Sequence, residues 1–325
     1  QRKLGMNKKW LDEYAALARE VDDAEGLYEF QKEGMATDVE VDAQYHKTRE
    51  LLEDAEFRST LNQKEDEMNA VLTINAGATV ETAVNSFGWN YQNNLVINGG
   101  TLRQISDTEG ADSHIRNVTL TAGTMTGVDA AKLFNLHGDI TVNAAATSSS
   151  INTAQLNLAS TAGVSASATQ NTFTVADGAA TVDLEVSSIM AGGSGMIKAG
   201  AGRMQLTRNN TFGGGVTVNE GTLVLAREGN DGNSVIRGAV TVNAGATLDW
   251  TARNATGYNA ASISSLTING GTVGGGDFDQ HFYHNAGSIP VTMTGGTLLL
   301  GGVASGSFAN QFRNAPITVT SASTS

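Results

Sequence analysis

The chain has 325 residues, with 38 glycines, two prolines, no cysteine and a formal net charge of −13. Without cysteine there are no disulfide staples and no thiolate metal sites, and an acidic balance lacking any basic cluster argues against a nucleic-acid partner. No run approaches the roughly 18 apolar residues of a membrane span, so no membrane insertion is expected in this stretch. No secretory signal stands at the N-terminus, and a start at Gln1 is what a cut or shortened polypeptide would show.

Composition changes near Asn69. Residues 1–69 hold 10 Lys/Arg against 18 Asp/Glu and only three glycines, whereas residues 70–325 hold 10 against 15 and the other 35 glycines. A boundary is therefore placed there, between an α-helical cap or attachment region (1–69) and a repeat region (70–325).

Within the first region, residues 7–33 are rich in helix formers. Trp10, Tyr14, Leu17 and Val21 fall at i, i+4, i+7 and i+11, which predicts one apolar stripe. Gly34 supplies a helix stop. Thr37-Asp38-Val39-Glu40 then fits a capping box, with Thr37 and Glu40 exchanging bonds across the first turn. Val41, Tyr45, Leu52 and Ala55 predict a second stripe running on toward Leu61 and Met68. One modest stripe per helix is too little for an independent core. The pair is expected to pack on the repeat region or on another subunit.

From residue 72 a pattern recurs: a short alternating apolar run, a turn of small residues, then another short run. Its second small residue falls at Gly77, Gly100, Gly123, Ala145, Gly178, Gly200, Gly221, Gly245, Gly271, Gly296 and Ala322. The intervals are 23, 23, 22, 33, 22, 21, 24, 26, 25 and 26 residues. A long Ser/Ala-rich loop around Ser148–Ser167 is the expected source of the outlier. A period in the twenties means stacked supersecondary units. Alternation in Val216-Thr217-Val218 and Val240-Thr241-Val242, with β-branched residues throughout, makes the unit one of strands. The fold class is mainly β, a parallel β-helix of about 10–11 coils. Val, Ile and Leu point inward, and Thr217, Thr241, Thr267 and Thr292 form an outward ladder.

Lys198-x-Gly200-x-Gly202, Met204-x-Leu206, Asn210-Thr211-Phe212-x-Gly214, Val216-x-Val218 and Gly221-Thr222-Leu223 resemble the autotransporter-associated β-strand repeat. The close match covers about residues 196–250, and the other coils are looser echoes. The resemblance implies a right-handed β-helix, extracellular display, and no catalytic residues within the repeat.

Candidates for chemistry are few. Asp277, Asp279 and His281, followed by His284, mix carboxylates with imidazole in a spacing that can hold a divalent metal. The preceding Gly274-Gly275-Gly276 favours a protruding polar loop instead. His114 and His137 lie 23 residues apart, one coil, and so are vertical neighbours. Asp107, Asp129, Asp249 and Asp277 are scattered, without the dense acid pair that glycoside cleavage needs. Phe87, Trp89 and Tyr91 alternate to one side of a strand, where they could stack on sugars or pack beneath a cap.

These residues point to a non-enzymatic extracellular structural or adhesive protein, with no catalytic residue and no cofactor. Its expected partners are neighbouring copies or subunits of a surface assembly. The alternative is a spike-type β-helix, as on a phage tail, that binds or cleaves polysaccharide. The stretch Pro316–Thr320 reads as the opening strand of a further coil with no charge or cap. A longer polypeptide, or a neighbouring subunit covering that edge, is therefore expected.

Overall fold

The computed structural model describes residues 2–60, 71–82, 94–105, 113–127, 133–158, 170–227, 234–257, 262–274, 283–284, 287–299 and 317–320. By its contacts the chain divides into two units, Gln1–Asn69 and Ala70–Ser325.

The first unit is a hairpin of α1 (Arg2–Lys32) and α2 (Asp38–Thr60). Gly34 ends α1 at φ 76°, in the left-handed region where glycine has no Cβ penalty. There the amides of Gly34 and Met35 donate back to the carbonyls of Gln31 and Phe30, which the helix end would otherwise leave open. The capping box forms as its spacing predicts. The Thr37 amide donates to Glu40 Oε2 at 2.9 Å, and the Glu40 amide donates to Thr37 Oγ1 at 3.3 Å.

The seam between the helices is not the one the apolar stripes predict. Leu17, Glu20, Ala24, Leu27 and Gln31 are half-buried on α1, and Val41, Gln44 and Thr48 on α2. Val21, Tyr45 and Leu52 stay 44%, 58% and 42% exposed. The reason is a polar clamp. Glu20 accepts from Gln44 Nε2 and Lys47 Nζ, each at 3.0 Å, while its carbonyl accepts from Thr48 Oγ1 at 3.2 Å. Those bonds turn α1 so that Glu20 faces α2 and Val21 rolls away. The side chains of Trp10, Tyr14 and Ala55, and residues Leu61 and Met68, lie outside the described residues.

The second unit is a parallel β-solenoid, as the repeat predicts. One sheet stacks eleven strands from Val71–Asn75 to Ile317–Val319, and a second stacks ten from Thr79–Thr82 to Thr297–Leu299. Register is kept from coil to coil. Val216 pairs with Val240, which pairs with Leu266, which pairs with Val291. All four point inward and are at most 2% exposed. Trp250, Phe134, Phe173 and Phe212 are the largest apolar side chains fully buried with them. Full burial of such a side chain stabilises by about 1.5–3 kcal/mol, and this column supplies one or more per coil. The only antiparallel strand pair among the described residues joins Tyr283–His284 to Gly287–Ser288.

A third sheet was not legible in the repeat. It runs through Ser113–Ile115, Leu133–Leu136, Gln155–Leu158 and Ile189–Ala191. The segment expected as one loop from Ser148 accordingly opens with two strands, Ser149–Asn152 and Gln155–Leu158. Ile151, Leu156 and Leu158 bury at alternate positions there, and this overrides the polar Ser/Asn/Gln composition. Residues 159–169 lie outside the described residues.

Candidate functional site

The coil from Gly195 to Leu225 buries a cation and a side-chain amide, each engaged with backbone. Its strands are Gly195–Ala199, Arg203–Leu206, Val216–Val218 and Gly221–Leu225. Lys198 stands in the inward column between Phe173 and Val218, where neighbouring coils carry apolar side chains. It is fully buried. Its ammonium donates to the carbonyls of Ala199 at 3.0 Å, Gly200 at 2.6 Å and Glu220 at 3.1 Å. All three of its protons thus reach turn carbonyls, two in its own coil and one in the next. Burial pushes its pKa down to about 8, against the opposing pull of the Glu220 and Asp183 carboxylates. At neutral pH it remains a cation.

Two further side chains tie this coil to its neighbours. Asp183, 4% exposed, accepts from the Gly178 amide and from the Arg203 amide, each at 2.8 Å. Asn210 accepts from the Met190 amide at 2.7 Å and donates to the Val235 carbonyl at 2.8 Å. It therefore spans from the preceding coil to the following one. Phe212, two residues on, is fully buried. The glycines are required by close approach. A Cβ on Gly221, which has φ 65°, would meet the Gly200 carbonyl oxygen at 2.5 Å. Sequence reasoning saw Lys198 and Asn210 as motif letters and passed over Asp183. The missed signal was a charged residue in a column where the other coils are apolar.

Outside the solenoid wall, Thr217, Thr241, Thr267, Thr292 and Thr318 lie in register, one per coil. A parallel column forms two residues further on. Asn243 Nδ2 donates to Asn219 Oδ1 at 2.7 Å, Asn269 Nδ2 to Asn243 Oδ1 at 3.1 Å, and Thr294 Oγ1 to Asn269 Oδ1 at 2.9 Å. These ladders are neutral and built of short side chains.

The remaining sequence candidates are placed as follows. His114 Nδ1 and His137 Nε2 lie 2.8 Å apart in neighbouring coils. Their ring centroids are 5.1 Å apart and the ring planes 22° from parallel, so the two imidazoles stack with a nitrogen of each brought together. Asp249 accepts from the Trp250 amide and stands 3.6 Å from the Arg203 guanidinium, which is a structural role. His284 lies in the short antiparallel strand pair. Asp277, Asp279 and His281, the aromatic row Phe87, Trp89 and Tyr91, and Asp107 and Asp129 lie outside the described residues. Among the described residues, no group of three or more His, Asp or Glu is placed to hold a metal ion. No described helix is long and apolar enough to cross a membrane.

Residues 196–225, the coil just described, match the family model of the passenger-associated-transport-repeat. Motif and solenoid together fit an autotransporter passenger-type repeat protein. No curated protein and no solved structure matches the chain. In this passenger-type repeat, each of these motif positions has a structural task. Lys198 closes the turns, Gly200 and Gly221 let coils approach, Asn210 bridges three coils, and Phe212, Val216 and Leu223 fill the interior.

Proposed function

We propose that the chain is a non-enzymatic structural or adhesive passenger, a β-solenoid spacer displayed outside the cell or at its surface. The observation that carries this reading is the 196–225 coil, where the buried ammonium of Lys198 and amide of Asn210, with the Asp183 carboxylate just before the coil, are all engaged with backbone. A group used in that way serves stacking rather than turnover. The neutral Thr and Asn ladders on the outer wall support the same reading, since they offer repeated hydrogen-bonding groups along the coil axis. Partners in this reading are neighbouring copies or subunits of a surface assembly.

The test is to label intact source cells with an antibody raised against residues 70–325, with and without permeabilisation. Signal on intact cells, lost after external protease treatment, is the expected result. Signal that appears only after permeabilisation overturns the proposal.

A further inference from the structure

The helical hairpin presents two unlike sides. On α1, Val21 and Tyr28 follow the half-buried Glu20 and Leu27 by one residue, about 100° further round the helix. On α2, Tyr45 follows Gln44 by the same step, and Leu52 lies one heptad beyond Tyr45. Because the helices run antiparallel, a step past the seam on each turns to the same side of the hairpin. The bonds from Gln44 and Thr48 to Glu20 set the level, so Val21 lies beside Tyr45. Lys47, three residues past Gln44, falls on the opposite side with its salt bridge to Glu20 at 2.8 Å. One side is thus a polar clamp. The other is an apolar face on which Val21, Tyr28, Tyr45 and Leu52 are 44%, 49%, 58% and 42% exposed.

We propose that this face is a self-association surface, and that its occupant is the same face of a second copy of the chain. Charge is the first argument. Residues 1–69 carry a net charge of −8, yet among the described residues the side with Val21 and Tyr45 places Glu25 and Lys32 from α1 and Asp38, Asp42 and Arg49 from α2, a net of −1. The face carries little of that charge, so a copy of it is repelled less than the rest of the hairpin would be. Self-similarity is the second. Each helix contributes one aliphatic residue and one tyrosine, Val21 and Tyr28 against Leu52 and Tyr45, and an isologous contact needs such a patch.

Spacing is the third argument. Leu17, Val21, Ala24 and Tyr28 follow a 4–3 repeat, as do Val41, Tyr45, Thr48 and Leu52, which is the seam of a left-handed coiled coil. The hairpin covers only one edge of each seam. A second hairpin on the other edge makes a four-helix bundle. Four half-exposed side chains of this size offer on the order of 300–400 Å² per copy, and the charged rim brings the contact toward the ~800 Å² per partner of a small specific interface. A contact of that size is expected to be weak and reversible.

The test uses the whole 325-residue chain, with mass measured by sedimentation from about 1 to about 100 µM. The expected result is a rise from monomer toward dimer, and a monomer at every concentration for the double variant Val21→Glu/Tyr45→Glu with unchanged helical circular dichroism. Wild type that stays monomeric throughout, or a double variant that dimerises as wild type does, overturns the proposal. Should the double variant lose helix, the cysteine-free chain offers a second reading. Tyr45→Cys is expected to form an interchain disulfide under mild oxidation, and Lys47→Cys, on the polar side, is not. Equal crosslinking of the two also overturns it.

Discussion

The hairpin and the solenoid solve the same problem with opposite means. In the solenoid, coil after coil buries its inward side chains almost completely, and the buried polar groups described above are held by backbone of adjacent coils. In the hairpin the seam is only half-buried and is organised around Glu20, with apolar side chains left outside. Stacking gives each coil two neighbours to bury against, whereas a helix in a pair has one, and half of its stripe stays wet. The difference teaches that stability here is concentrated in the repeats, and that the hairpin is the unit with surface to offer.

The largest expected effect tests that concentration directly. Phe212→Ala, at a fully buried site, is expected to cost about 3–5 kcal/mol by urea denaturation of the β signal. Leu17→Ala, at the half-buried helical seam, should cost roughly 1 kcal/mol or less of helical signal. Equal costs would break the comparison.

Next in size is the bridge between coils. Asn210→Ala leaves the Met190 amide and the Val235 carbonyl buried without their partner. Each orphaned group costs about 1–3 kcal/mol, so the pair could lose about 2–6 kcal/mol. A loss in the lower half of that range is expected because the two sites relax around the gap, while Asn243→Ala on the exposed ladder should cost about 0.5 kcal/mol or less. Denaturant midpoints of the two variants side by side check this.

How much of this was legible follows from what each element asks of its residues. Thr217, Thr241, Thr267 and Thr292 were readable because a strand alternates strictly and one coil copies the next. The seam was not, because apolar spacing alone cannot show that Glu20 takes three bonds from α2 and so claims the inner line. Gln155–Leu158 was hidden by the polar composition before and after it, although its leucines alternate inward. Lys198 was visible as a motif position. Its inward direction follows from the alternation with Met196, which is also buried, and a cation on an inward position signals a carbonyl cage.

That cage sets a third expectation, on pH. The pKa of Lys198 in the folded chain is about 8, below its ordinary 10.5, so the folded state releases this proton first. Below about pH 8 both states hold it and the group adds no slope. Between about 8 and 10.5 the unfolded state binds more proton, and stability rises with pH by up to about 1.4 kcal/mol per unit. Lys198→Met removes that rise. Urea midpoints of both proteins from pH 7 to pH 10.5, subtracted, should give a difference that is flat and then climbs. A difference that falls with pH would show the ammonium to be favoured by folding.

The smallest effect belongs to the hairpin and has the opposite sign. Glu20 has its pKa lowered, first by the hydrogen bond from Lys47 and then by that from Gln44, and Glu40 has its own lowered by the Thr37 amide and hydroxyl. For a carboxyl with a depressed folded value, the contribution is present above the ordinary 4.5 and is lost as pH falls through the folded value. Glu40 is open to solvent and Glu20 only half-buried, so the loss is modest and weakens further with salt. Helical circular dichroism of the whole chain should therefore begin to fall below about pH 4.5 while the β signal holds. Lys198 is already protonated there, and although the Asp183 carboxylate also ties coils, the solenoid rests mainly on an inward apolar column that does not titrate. Glu20→Gln should flatten the acid limb of the helical signal, because an amide keeps the bond from Lys47 without a charge to lose. If helix and strand signals instead fall together, and Glu20→Gln changes neither, the two units share one stability, and the contrast drawn from their seams is wrong.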